Sequence, residues 1–513
     1  MATFLEDKNR IIIPTWREYK KTTLTPEHFP DPKSIINRDY SNDPLLIEKV
    51  TDWKEEKNIP NAIELINSSY SLGQNETAID AAKFLIKQDF DLPKHLKVIA
   101  NEILGIHNAD APSYVVQDDN LNTLFRFVGS KLQGLRKRLI NFPSNPILWL
   151  EIARLHSILG NVDKAEKAIT VAVDLSKGLN RYIIRAASRF FYHIDDFDRA
   201  HSIVRKCPLV KTDPWLMATE ISYSIKQKRN SPNVKKGLDI ISSAKYSNES
   251  ISELSSMIGT LEFFNGSFKS ARSLTNKALF APNDNSLAQA EWLSRHLSNI
   301  QFDPWLEKLE YAYEARANEF YVKKEFKKSL VEGFNWVIDQ PFSKRAIHFS
   351  SHLACGILGE YDSAIEICKF GLRTNPNSFT ILNNLTYSLA LKNEIVKAKV
   401  YFDKMHTPIE NDIQKVIYSA TDGLIDYRSG KYESGKEKYL KAIELAKKLK
   451  EDRLASVAEI NFTRERVLSK ELDDQSGIDV LTTIMKLYKD NDILEMLELA
   501  IKKILAKRTA VSI

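Results

Sequence analysis

Between Pro146 and Asp174 the chain reads PILWLEIARLHSILGNVDKAEKAITVAVD, with apolar residues recurring every three to four positions on either side of Gly160. That period gathers them on one helix face, so the stretch predicts two short helices joined at the glycine. Trp149, Ile152, Ala153 and His156 share a face of the first helix, and Ala165, Ala168, Ile169 and Ala172 share one of the second. Alanines at such places let two helices approach closely. A hairpin of this size cannot bury its own apolar faces, so it needs neighbours.

The chain supplies them. Ala200, Ala271, Ala364 and Ala398 take the place of Ala165, with Gly237, Ser329 and Gly435 as weaker equivalents. Where units follow one another directly the step is about 34 residues, which is a repeat length. The turn five positions earlier falls at Gly160, Asp195, Gly266, Gly359, Asn393 and Gly430, residue types that tolerate the left-handed backbone at a helix end. An aromatic follows that turn at Phe197, Phe268, Phe326, Tyr361 and Tyr432. Pro282, Pro341, Pro376 and Pro408 close several units, since proline cannot continue a helix.

Units with a bulky residue early in the first helix, small residues at the crossing and a closing proline resemble the tetratricopeptide repeat family. The resemblance covers roughly Asn58 to Gln88 and Pro146 to Leu445. It implies an all-α, right-handed superhelical solenoid of antiparallel helix pairs, whose first helices line the concave side and present their outward positions to ligands. Polar residues between Lys226 and Pro232 lengthen one unit, Asn283 to Asp303 holds a degenerate one, and Trp149 alone among the tryptophans sits early in a regular unit.

Five segments follow. Residues 1–43 carry Pro14, Pro26, Pro30 and Pro32 without a helical period, which predicts an extended arm, with Trp16, Tyr19 and Phe29 as anchors. It is either a disordered tail or an arm lying along its own array or a partner. Residues 44–107 hold the first repeat-like pair, 108–145 a loop and a basic helix, and 146–447 the regular array. Residues 448–513 stay helical without the signature. Their stripe of Ile493, Leu497, Ala500, Ile501 and Ile504 suits a C-terminal helical cap that covers the last exposed face.

Across 513 residues, 73 basic and 67 acidic side chains leave a net charge of +6, too balanced for a dedicated polyanion binder. Three cysteines with no CxxC spacing make a poor disulfide framework and point to a reducing, cytoplasmic setting. The run Ile11 to Ile13 stops at Pro14, too short for a secretory signal, and no apolar run is long enough to cross a membrane.

The loops and ligand spacings of common catalysts are missing: there is no GxxxxGK[ST], GxSxG, HExxH or CxxC. His348 and His352 lie one turn apart but lack a third ligand nearby, and Cys355 and Cys368 fall at facing contact positions, as core thiols. No catalytic residue, metal site or cofactor is assigned. The candidate ligand surface is Arg181, Arg185 and Arg189 along one first helix, with Arg154 on the helix before. Guanidinium groups so placed suit carboxylates or phosphates, and hence an acidic peptide or segment of a partner protein. The alternative is a solvated face paired with Asp195, Asp196 and Asp198. A second, polar surface comprises Asn383, Asn384 and Tyr387, with Lys415 at the head of the next unit, types that pair with a peptide backbone and a terminal carboxylate.

These features predict a non-catalytic interaction scaffold, sensor or adaptor that binds a partner protein and regulates or recruits a separately encoded enzyme. Helical-repeat binding of single-stranded RNA or other nucleic acid ranks behind it. The basic run Arg126 to Arg138 favours that alternative, but no polar pair recurs at one place in every repeat. A recogniser subunit of a host conflict or defence complex fits the same features, whereas a peptide-sensing regulator would carry a helical effector ahead of the array, which residues 1–43 do not resemble.

Overall fold

The computed structural model describes residues 10–19, 44–72, 74–87, 94–104, 118–243, 245–406, 411–487 and 491–511, and every regular element among them is a helix. They form two compact units. The first, Asn9–Ala312, contains α1 (Pro44–Glu55), α2 (Ile59–Leu72), α3 (Ile79–Ile86), α4 (Lys94–Ile103) and α5 (Asp118–Asn141). Four successive hairpins come next: α6 (Pro146–Ile158) with α7 (Val162–Leu175), α8 (Arg181–His193) with α9 (Phe197–Lys206), α10 (Pro214–Lys226) with α11 (Val234–Ser242), and α12 (Asn248–Phe264) with α13 (Phe268–Ala278). A single α-helix, α14 (Asp284–Ser294), follows them. The predicted degenerate repeat is this helix, followed by a short 3₁₀ turn, Pro304–Lys308, in place of a second α-helix.

The second unit pairs α15 (Tyr313–Val322) with α16 (Phe326–Asp339), α17 (Lys344–His352) with α18 (Tyr361–Thr374), α19 (Phe379–Leu391) with α20 (Ile395–Asp403), and α21 (Asp412–Arg428) with α22 (Tyr432–Lys448). It closes with α23 (Asp452–Leu468), α24 (Asp474–Leu487) and α25 (Asn491–Val511). Within each unit these consecutive antiparallel pairs are helical-hairpin repeats.

The residues that mark the repeat do the work expected of them. Ala165, Ala200, Gly237, Ala271, Ser329, Ala364, Ala398 and Gly435 are all buried. At α21 and α22 the backbones come close: a Cβ on Gly435 would lie 2.9 Å from the Gly423 carbonyl oxygen, and one on Gly423 would lie 3.0 Å from that of Gly435. The six turn positions Gly160, Asp195, Gly266, Gly359, Asn393 and Gly430 all have positive φ, which turns the chain between the helices of a pair. The aromatic after the turn packs back on one at the end of the first helix. Tyr192 and Phe197 are 5.0 Å apart, Tyr321 and Phe326 5.6 Å, and Phe263 and Phe268 5.9 Å.

First helices also start alike. Asn145 accepts from the Ile147 and Leu148 amides, Asn180 from Ile183, Asp213 from Trp215 and Leu216, and Asn283 from Ser286. Each cap satisfies donors that the first turn leaves open. Ile493, Leu497, Ala500 and Ile504 of α25 are buried against Ile460 and Val467 of α23 and Leu481 and Ile484 of α24. No helix among the described residues is long and apolar enough to cross a membrane. Of the residues expected to anchor or close elements, Phe29 and Pro408 lie outside the described residues, as do Pro26, Pro30 and Pro32.

Candidate functional site

Residues 10–19, RIIIPTWREY, have no regular secondary structure and run across the first helices of the first unit, from α14 back towards α6. Pro14 keeps the residue before it extended, so the segment cannot curl into a helix of its own. Its apolar side chains point into the array: Ile12 is 0% exposed, Trp16 1% and Ile11 4%. Ile11 and Ile12 belong to one buried cluster with Met217 and Ile221 of α10 and Leu254 and Met257 of α12. Of the two possibilities for the arm, the described part lies along its own array.

The array holds this segment largely by its backbone. Gln289 Nε2 donates to the Arg10 carbonyl oxygen at 2.9 Å, and Asn285 Nδ2 to that of Ile13 at 2.8 Å. The Tyr182 hydroxyl lies 2.6 Å from the Arg17 carbonyl oxygen and 3.3 Å from Glu151 Oε1. Glu151 Oε1 accepts from the Tyr19 amide at 3.2 Å, and Met257 Sδ lies 3.5 Å from the Ile12 amide nitrogen. Side chains of the segment add a second layer. Arg10 donates to Gln289 Oε1; Arg17 pairs with Asp284 at 2.7 Å and lies over the Tyr311 ring; Glu18 pairs with Lys131 of α5. Tyr19 meets the Tyr182 ring edge-on at 5.0 Å.

The four arginines of the candidate ligand surface sit at or behind this groove. Arg154 is bonded to Glu151 at 3.1 Å and lies 4.0 Å from Glu18. Burial works against its charge, but Glu151 and Glu18 outweigh it and hold its pKa above the ordinary value. Arg185 grips Glu253 with both terminal nitrogens, at 2.7 and 3.0 Å. Glu253 Oε1 also accepts from Asn283 at 2.8 Å and lies 3.5 Å from Asn285, the residue that holds the Ile13 carbonyl. Arg181 pairs with Asp213 at 3.7 Å, and burial lowers its pKa to about 10 against that pull. Arg181 and Arg185 both lie over the Trp215 ring, and Arg189 is buried. The paired carboxylates are thus Glu151, Asp213 and Glu253; Asp196 instead bonds Arg199.

Three of the four polar residues of the second unit, Asn383, Asn384 and Tyr387, are interior. Asn383 and Asn384 are 0% exposed, and their amides meet Thr421 at 2.7 Å and Ser351 at 3.1 Å. The Tyr387 hydroxyl donates to Asn461, and Lys415 lies on the surface bonded to Asp412. Around Tyr387 is a charged network: Glu465 accepts from Arg428 Nη2 at 3.0 Å and from Arg464 Nε at 2.8 Å. Cys207, Cys355 and Cys368 are free and buried, and burial pushes the Cys355 thiol up to about 12. No group of three or more metal-ligating side chains is gathered among the described residues.

His156 and His348 give the fold a pH dependence. Burial, with the cations Arg136 and Lys164 nearby, lowers the His156 pKa to about 4, and burial with Lys344 lowers that of His348 to about 3. An unfolded chain takes up protons at these sites below about pH 6.5, where the folded protein still excludes them. Stability is therefore fully present above that pH and falls as the pH drops towards the folded values. Urea unfolding near pH 5 should show a loss of about 2 kcal/mol per histidine relative to neutral pH. His156→Gln and His348→Gln should each flatten that dependence.

Sequence reading found the arginines but missed the residues that touch the segment: Glu151, Tyr182, Asn285 and Gln289. A signal was present, since Glu151 and Gln289 interrupt apolar runs on first helices and are buried. A buried polar side chain needs a partner, and here the partner is a peptide backbone.

The fold and groove define an all-helical repeat protein whose first unit has an extended segment of its own laid across its first helices. No protein-family model matches the sequence, and no curated protein matches it. Solved structures that align with most of this chain include the following two. One is the APC/C hetero-tetramer Cut9-Hcn1, at 11% identity over 89% of this chain and 92% of that one, with a TM-score of 0.38. The other is yeast Tom70, at 13% identity over 89% and 97%, with a TM-score of 0.30. At those scores neither likeness bears on function.

Proposed function

We propose that this chain is a non-catalytic cytoplasmic scaffold or adaptor that binds a partner protein and recruits or regulates an enzyme encoded elsewhere. The observation that carries this reading is the groove of the first unit, whose Gln289, Asn285, Tyr182 and Glu151 side chains bond the backbone of an extended polypeptide. Such bonds supply affinity for any extended chain, while apolar pockets select among sequences. Arg154 and Arg185 serve this site by orienting Glu151 and Glu253. The three buried free thiols suit a reducing compartment.

Nucleic-acid binding is less well supported, because Arg154, Arg181 and Arg185 already face carboxylates and have little charge to offer phosphates. Crosslinking with mass spectrometry on tagged protein, purified in mild salt from its natural host, tests the proposal. A stoichiometric partner crosslinked near α6–α14 is expected. Recovery of the chain alone would overturn it.

A further inference from the structure

We propose that the groove across α6–α14 is a receptor for an extended peptide, and that residues 10–19 are its built-in competitor. A partner segment would enter by replacing this arm, residue for residue. The inference rests on the scaffold reading above and specifies what the scaffold grips.

Three observations carry it. First, the arm is held as a ligand is held: groove side chains address its carbonyl groups at Arg10, Ile13 and Arg17 and its amide at Tyr19, and it adds no hydrogen-bonded strand or helix to the fold. Those contacts do not depend on which side chains the segment carries. Second, the groove is built to be filled. Glu151, Glu253 and Gln289 are buried polar groups directed at or just behind the segment, and Met217, Leu254 and Met257 form an apolar floor. Emptying it would bare that apolar floor to water, so an occupant is favoured.

Third, the side-chain contacts spell out a chemical pattern. A cation meets Gln289, β-branched residues follow at the apolar floor, an aromatic is buried six positions after the cation, and an Arg–Glu pair then meets Asp284 on one side and Lys131 with Arg154 on the other. Arg17 and Glu18 each meet the opposite charge on the groove, which fixes direction as well as register. The partner chemistry is therefore an extended protein segment of the form cation, two or three β-branched residues, aromatic, cation, carboxylate.

Competition has a defined consequence. A segment in trans binds only the fraction of molecules whose arm is out, so its apparent affinity falls by that fraction. Weakening the arm without touching the groove should raise affinity for a segment added from solution.

A fluorescent peptide of residues 9–20, NRIIIPTWREYK, is the probe. Intact protein should bind it at least about a hundredfold more weakly than full-length Ile12→Asp protein, whose groove is unchanged. In a second arrangement, a protease site is placed within residues 20–43 of the full chain and cut after folding; the cut protein, still helical by circular dichroism, should exchange its arm for the probe. A peptide carrying Ile12→Asp and Trp16→Ala should compete at least about thirtyfold less well. Failure of the probe to bind both the Ile12→Asp protein and the cut protein would overturn the proposal and show the arm to be a permanent part of the core. Equal binding of a scrambled peptide would overturn the pattern. Because the probe is synthetic, exchange without any partner recovered from the host would sink only the scaffold reading.

Discussion

Ile12→Asp is expected to release residues 10–19 from the first unit of the full-length protein. Ile12 is fully buried in a cluster with Met217, Ile221, Leu254 and Met257. Losing that burial costs about 2 kcal/mol, and setting a carboxylate among apolar side chains adds several more. The combined loss of roughly 4 kcal/mol or more corresponds to at least a hundredfold rise in the undocked population. Hydrogen exchange read on peptides covering residues 10–19 should show that loss of protection, while amides within α6–α14 keep their helical hydrogen bonds and change far less. Ile12→Val, which only trims a methyl group, should cost about 1 kcal/mol and leave the arm docked. Unaltered protection across residues 10–19 in the aspartate variant would mean that the polar contacts alone hold the arm.

Glu465→Ala should be the most damaging single change in the second unit. Glu465 is 2% exposed and accepts from two guanidinium groups, through Arg428 Nη2 at 3.0 Å and Arg464 Nε at 2.8 Å, and its second oxygen lies 2.6 Å from Arg428 Nε. Arg464 is itself buried, with the Tyr387 hydroxyl 3.4 Å from its Nη1. Burial opposes its charge, but the neighbouring Tyr387 and Glu465 hold its pKa well above the ordinary value. Without Glu465 that charge stays in the interior uncompensated, which costs about 3–5 kcal/mol. Urea unfolding should show the loss, and Arg464→Met in the same chain should recover part of it, because the two changes remove partners of one network. A loss below about 1 kcal/mol would instead be the behaviour of an exposed pair.

Much of the fold was legible because the repeat leaves a local signature. Small residues at Ala165 or Ala364 and turn residues at Gly160 or Asn393 are required within a single hairpin, where the chain meets itself after a few residues. The stripe of α25 was legible for the same reason: one helix has one period. The candidate site was less so. The ladder Arg181, Arg185 and Arg189 was visible as a spacing, but spacing does not tell a guanidinium facing solvent from one gripping Glu253, which lies two hairpins further on. Asn383 and Asn384 likewise have the composition of a ligand surface and the burial of a core.

By itself the sequence determined that hairpins form, where they turn, and that the stretch around Pro14 stays extended, because each depends on residues close together in the chain. Which surface the extended stretch would cover was decided only by tertiary structure. Gln289 reaches Arg10, Asn285 reaches Ile13 and Glu151 reaches Tyr19 across long separations. Such pairings leave no period to read, since a hydrogen bond to a carbonyl group or an amide is indifferent to the side chain attached to it.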